Sequence, residues 1–128
     1  MSAPLTFKEK TMEFVLAFQQ PIEVYEAYGT PEAHAQSQAW KHYMMSMGAA
    51  GVLRGGKQLD PRRASTVSFH EGRRQLRHGA SSLSEALLGG YVVIEVDTLE
   101  DALKWAELSP SSLTGCTEVF PVLPIPGA

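Results

Sequence analysis

Cysteine is nearly absent from this 128-residue chain. Cys116 stands alone, which excludes an intramolecular disulfide framework and a cysteine-rich zinc site. Long apolar runs are missing too. The longest near the start, Phe14 to Phe18, falls far short of the roughly 20 residues that cross a bilayer. Lys8, Glu9 and Lys10 precede it and no small-residue cleavage site comes after it, so no secretory signal is expected. These absences together point to a cytosolic (cytoplasmic) protein without a membrane partner. No repeat and no low-complexity segment breaks the chain. Gly55-Gly56 is not followed by Gly-Lys-Ser/Thr, so it makes no phosphate loop. Ser81 and Ser82 lack a nucleophile elbow and read as helix caps.

The residues that are present fit one globular domain. The chain weighs 14.0 kDa, with 44% hydrophobic and 20% charged residues, and has no room for two ordinary domains. Its charge is uneven. From Arg54 to Arg77 there are seven cations (Arg54, Lys57, Arg62, Arg63, Arg73, Arg74, Arg77) and two anions (Asp60, Glu71), against a net −3 for the whole. The segment is thus +5 and the rest −8. Such a segment is either an anion site, for a small carboxylate or phosphate ligand or for nucleic acid, or a solvated hairpin kept from aggregating by its charges. A pI near 5.8 and the lack of aromatics stacked among the arginines make nucleic acid the poorest of these fits.

The pattern along the chain predicts alternating strands and helices. Phe14, Leu16 and Phe18 recur at period two and give a strand from Met12. Gln19 to Gly29 reads as a loop, interrupted by Pro21. Thr30-Pro31-Glu32 supplies a hydroxyl N-cap, a proline at the first position and a carboxylate for the dipole. In the helix so begun, Trp40, Tyr43, Met44 and Met47 form one apolar stripe, and Gly48 and Gly51 stop it. A short bent strand runs from Val52 to Leu59, bulged at its glycines. Residues 66–70 and 73–77 pair as a hairpin about Glu71-Gly72. A capping box at Ser82 and Glu85 predicts a helical turn to Leu88. Tyr91 to Val96 is the strongest strand and is apolar on both faces except at Glu95, so it belongs at the sheet centre. Thr98 caps a second helix with Leu99, Ala102, Leu103 and Ala106 as its buried stripe, ended by Ser109-Pro110. Gly115 to Val122 returns as the last strand.

This order predicts an α+β fold, a ferredoxin-like split βαβ sheet with two long helices on one face. The bare face of that sheet is expected to be covered by a second copy of the chain. Residues 1–11 and 124–128 read as tails around a single domain at 12–123.

Several stretches resemble the YCII-related proteins, and among them the subgroup named for its DGPF motif. They are Ala49 to Leu53 with Gly55-Gly56, Ser65-Thr66-Val67, Gly79, Leu88-Gly89-Gly90-Tyr91, and Val96 through Ala106, followed by Pro110 and Glu118-Val119. The resemblance implies a dimeric α+β barrel whose members mostly have no assigned activity. It also implies a pocket lined by a first-helix histidine and the aspartate of DGPF. Here His78-Gly79-Ala80-Ser81 stands where that motif would be, and the first-helix position falls near Gln36, flanked by His34 and His42. Thr117 to Pro121 lacks the arginine with which the family pattern often ends.

The candidate site residues come from these patterns. His78, before a glycine at a strand end, suits a general acid or base, with Glu118 as its partner. Arg54 and Arg77 are candidate anion clamps, and His34, His42 and Tyr91 candidate ligand contacts. His34 and His42 lie eight apart, too far to chelate one metal, and no acid completes a ligand set, so neither a metal nor a cofactor is expected. Two readings stay open. One is a homodimeric protein that binds a small anionic organic molecule, with acid–base chemistry at His78. The other is a non-catalytic regulatory or interaction module.

Overall fold

The computed structural model describes residues 11–80 and 85–124. Strand β1 (Met12–Pro21) leads through a short helix α1 (Ile22–Glu26) and a 3-10 turn (Pro31–Ala33) to helix α2 (His34–Ala50). Strand β2 (Leu53–Gln58) and a second 3-10 turn (Pro61–Arg63) precede a ribbon of β3 (Ser65–His70) and β4 (Arg73–His78). Strand β5 (Ala86–Val96), helices α3 (Leu99–Glu107) and α4 (Ser111–Thr114), and strand β6 (Cys116–Pro121) complete the chain. Among the described residues no helix is long and apolar enough to cross a membrane.

The four-stranded sheet has the order β2-β5-β1-β6, every neighbouring pair antiparallel. With α2 crossing from β1 to β2 and α3 from β5 to β6, the architecture is α+β and consistent with the ferredoxin-like split βαβ. The β3–β4 ribbon is a separate two-stranded sheet inserted between β2 and β5.

Alternation sorts the central strands into two faces. Phe14 faces Ile94, Leu16 faces Val92 and Phe18 faces Gly90 across the β1–β5 ladder. These side chains form one buried cluster with Tyr43 and Met47 of α2 and with Ala102 and Ala106 of α3, so both long helices cover this face. On the other face Val15 meets Val93 and Phe120, while Ala17 lies between Tyr91 and Glu118. Among the described residues no helix lies over that side.

Local signals explain most element ends. Gly51 closes α2 at φ 76, a left-handed turn that glycine takes without a steric penalty. The Thr98 hydroxyl accepts from the Asp101 amide at 3.1 Å. Glu71 and Gly72 turn the ribbon at φ 51 and 78, the mirror-image turn that suits strand twist.

Other expectations are corrected. Gln19 to Pro21 continues β1, because these residues find partners in Leu88, Leu87 and Ala86. The same pairing makes Ala86 to Leu88 a strand where a helical turn was expected, and residues 81–84, with Ser81 and the Ser82 end of the capping box, lie outside the described residues. Part of the expected loop is helix α1, which buries Tyr25. The Thr30 hydroxyl bonds back to the Ala27 carbonyl at 2.6 Å and caps nothing. Gly48 lies within α2. Leu99 stays about half exposed, since it sits on the first turn of α3 and only Ala102 and Ala106 reach full burial.

A single extra residue shapes the end of the β1–β5 ladder. The register shifts between Phe18 and Gln19, where Gln19 pairs with Leu88 and Gly89 is left over. A Cβ added at Gly89 would collide with the Tyr25 ring, which is fully buried and donates to the Leu87 carbonyl at 2.6 Å. Gly89→Ala is therefore expected to lower stability by roughly 1–3 kcal/mol, the cost of overpacking a filled site. Urea denaturation monitored by circular dichroism measures it, with Gly48→Ala, in open space on α2, as the contrasting control, expected to raise stability by up to about 1 kcal/mol through helix propensity.

Candidate functional site

The glycines that thin the β2–β5 edge leave a hollow beneath α2. Gly56 and Gly90 stand on its floor with Gly89, and no methyl fits at Gly56, where a Cβ would strike the Tyr91 carbonyl. The cavity is about 500 Å³, inside the range of small-molecule sites. Its roof is one side of α2, where Gln36, Ser37, Trp40 and Met44 succeed one another at helical spacing. Phe18 closes the inner end, and Tyr25, Tyr28 and Gln20 form the side wall.

Packing holds these walls in place. Phe18 and Trp40 meet edge to face at 4.8 Å between ring centroids, and Tyr25 and Tyr28 at 5.7 Å, geometries that aromatic rings prefer. Gln20 is buried and donates to the Thr114 hydroxyl at 2.7 Å. Arg62 locks the rim. It grips Asp60 through two nitrogens at 2.8 and 3.1 Å, donates to the Tyr25 carbonyl at 3.1 Å, and lies 5.8 Å from the Tyr28 ring centroid. The hydrogen bond from Arg62 holds the Asp60 carboxyl below its usual value.

The hollow is mainly apolar, and its polar side chains are uncharged. Lys57 and Tyr91 belong to its wall, but they are cross-strand partners. Alternation places Gly56, Val92 and Gln58 on the helix side, so the Lys57 and Tyr91 side chains turn to the other face and offer the cavity main chain. The functional groups that remain are the amides of Gln20, Gln36 and Gln58, the Ser37 hydroxyl and the phenols of Tyr25 and Tyr28. Burial raises Tyr25 to about 12, the neighbouring Tyr28 adds to this, and the main chain of Gln20 pulls the other way.

The structure scatters the residues expected from sequence. His34 and His42 are exposed on α2, and His78 is exposed at the root of the ribbon, 3.5 Å from the Ser65 hydroxyl. Arg77 is exposed and donates to the Ala80 carbonyl. None of these lines the hollow. Arg54, Tyr91 and Glu118 do share a neighbourhood, the open face of the sheet. There Arg54 pairs with Glu95 at 2.9 Å and donates to the Gly51 carbonyl at 2.8 Å, while Glu118 accepts from Gln19. Hydrogen bonds from Thr11 and then Arg54 lower the pKa of Glu95. Sequence reasoning passed over Gln20, Tyr25, Tyr28 and Gln58, and treated Trp40 as core. The signal for them was negative, two glycine pairs that strip side chains from one end of the sheet.

The model of the YCII-related domain matches residues 12–126. No curated protein matches the chain.

The buried phenols generate a pH prediction. Tyr25 keeps its proton to about pH 12 in the folded chain, against its ordinary value of 10.0, and burial pushes Tyr43 up as well. The unfolded chain releases these protons first. Stability is therefore expected to be unaffected by them below pH 10 and to be lost as pH rises from 10 through 12. Phenolate absorbance recorded alongside circular dichroism checks this: Tyr25 and Tyr43 should ionise only as the fold is lost, and Tyr25→Phe should flatten the decline.

Proposed function

Since the chain belongs to the YCII-related family, we propose that it is a dimeric small-molecule-binding protein whose ligand, an uncharged molecule with an aromatic body, occupies the hollow beneath α2. The observation that carries this reading is the chemistry of the walls. Phe18, Trp40, Tyr25 and Tyr28 offer apolar and ring surface, while three amides and a hydroxyl supply hydrogen bonds without charge. An anion entering such a site loses hydration and gains no counter-charge. The ligand class thus differs from the anionic molecule expected from sequence.

His78 and Glu118, the acid and base expected from sequence, lie outside these walls, and Tyr25 holds its proton far above neutral pH. The hollow is accordingly read as a binding site that does not transfer protons. Gln36 occupies the first-helix position that the family resemblance gives to a histidine, and in this reading it orients the ligand through its amide.

Dimerisation is supported by the uncovered sheet face. Val15 and Val93 make an apolar centre beside the buried Ala17, Phe120 is about half exposed next to it, and the charged groups of this face, Lys57, Glu118 and the Arg54–Glu95 pair, stand around it. Two such faces packed together would shield each other and close the α+β barrel.

Two measurements test the proposal. Naphthalene-2-carboxamide and 2-naphthoate share one ring system and differ in charge. By ligand-observed NMR the carboxamide is expected to bind about tenfold or more tightly than the carboxylate, a difference of roughly 1.4 kcal/mol. Trp40→Ala should abolish that binding and Gln36→Leu should weaken it, while His78→Ala leaves it unchanged. Equal affinity for the carboxylate, or indifference to Trp40→Ala, would overturn the assignment of the hollow. For the dimer, light scattering is expected to give twice the 14.0 kDa of the chain, and Phe120→Glu to shift the population toward the single chain.

A further inference from the structure

The β3–β4 ribbon stands away from the body. Every residue from Ser68 to His78 is exposed, and the two ends of the ribbon are tied to each other at its root. There the Gly79 amide donates to the Ala64 carbonyl and the Thr66 hydroxyl to the Gly79 carbonyl, both at 2.7 Å. An isolated two-stranded ribbon is marginal in water, and an arm roughly 20 Å long that is exposed from Ser68 to His78 lacks the burial that would stabilise it.

Its register gives it two unlike faces. Val67 pairs with Leu76, Phe69 with Arg74 and Ser65 with His78, so Val67, Phe69 and Leu76 share one side. They are 54%, 69% and 48% exposed, an apolar stripe crossed by one arginine. The opposite side carries Thr66, Ser68, His70, Arg73, Gln75 and Arg77.

We propose that this ribbon is an arm that docks on a second copy of the chain, laying Val67, Phe69 and Leu76 against the α3–α4 corner. The occupant is argued from complementarity. The arm itself, residues 65–78, carries Arg73, Arg74 and Arg77 against Glu71, a net +2, and the rest of the chain carries −5, so the surface most abundant near any one copy has the sign the arm seeks. The α3–α4 corner matches it in both respects. Leu108 and Leu113 are 65% and 89% exposed there, and Glu107 stands beside Leu108 on the last turn of α3. Apolar side chains on the docking side suit such a surface better than a phosphate backbone. The inference rests on the dimeric reading only for the presence of a second copy, and it does not require the sheet faces to be the contact.

Sedimentation velocity over a concentration series tests it on the full chain, with circular dichroism confirming that the exposed-site variants fold. Phe69→Ser/Leu76→Ser is expected to weaken self-association about tenfold or more, and Leu108→Ser/Leu113→Ser by a similar factor. Wild-type association is expected to weaken as salt rises from about 0.05 to about 0.5 M, where screening shortens to a few ångströms. Association unchanged in the ribbon variant overturns the proposal. So does a labelled RNA or DNA 20-mer bound by wild type and lost by the ribbon variant with self-association intact. Phe120→Glu separates the two readings. If it alone dissociates the pair, the sheet-face dimer stands and the arm fails; if the ribbon variant alone does so, the arm stands and the sheet-face contact fails. A wild-type monomer at every concentration overturns both.

Discussion

The register of β1 against β5 is the constraint on which the rest of the molecule depends. It places Phe14, Leu16 and Phe18 opposite Ile94, Val92 and Gly90, so that one face of the sheet carries the apolar load and both long helices must cover it. It also runs out of side chain at a defined point. Phe18 faces a glycine, and the next residue of β5, Gly89, is the extra one in a bulge. A bulge bends the strand and re-aims the residues beyond it, and here it admits the Tyr25 ring. The floor left bare by Gly90 and Gly56 becomes the hollow beneath Trp40. Core and cavity are thus two stretches of one ladder, the first filled by branched and aromatic residues and the second emptied by glycine.

The two sheet faces differ in chemistry for a related reason. Toward the helices, polar groups are few and satisfied: Tyr43 donates to the Trp105 carbonyl at 2.7 Å, and Ser109 and Ser111 share the Thr117 hydroxyl at 2.7 and 2.6 Å. Such groups cost little once paired. On the open face, charge stays at the rim, with Arg54 on Glu95 and Gln19 on Glu118, and the centre remains apolar. Burying that centre against a like surface would remove hydrocarbon from water while Lys57 and Glu118 stay toward its edges on β2 and β6. The same neutrality inside the hollow leads to an uncharged ligand.

Much of the fold was legible because local and tertiary signals agree. The α2 stripe of Trp40, Tyr43, Met44 and Met47, the Thr98 cap, the Glu71-Gly72 turn and the central place of β5 each derive from spacing or turn chemistry, and the structure repeats them. Disagreement arose where a long-range partner outweighed a local preference. Glu85 completes a capping pattern, yet the next residues pair with Gln19 to Pro21, because a ladder rewards extension more than a short helix rewards its cap. The candidate site was less legible. Histidines and arginines draw attention as chemistry-bearing types, but the hollow is made of amides, rings and missing side chains. One positive clue existed: Gln36, Trp40 and Met44 fall four apart, on the side of α2 that faces the sheet, whereas His34 and His42 fall off that line.

The ribbon and the hollow are not independent, and the residue that joins them is Arg62. It sits in the turn at the foot of the ribbon, where Asp60 holds its guanidinium by two hydrogen bonds. The same guanidinium reaches the Tyr25 carbonyl and lies near the Tyr28 ring, both part of the cavity wall. A bidentate, planar contact of this kind fixes direction as well as distance, which a lysine could not reproduce. The foot of the arm and the rim of the cavity therefore share one side chain. An exposed segment is thus joined to the domain through a directional polar contact. It also places the most basic part of the chain beside an uncharged hollow, with Arg62 neutralised by Asp60 at the boundary between them.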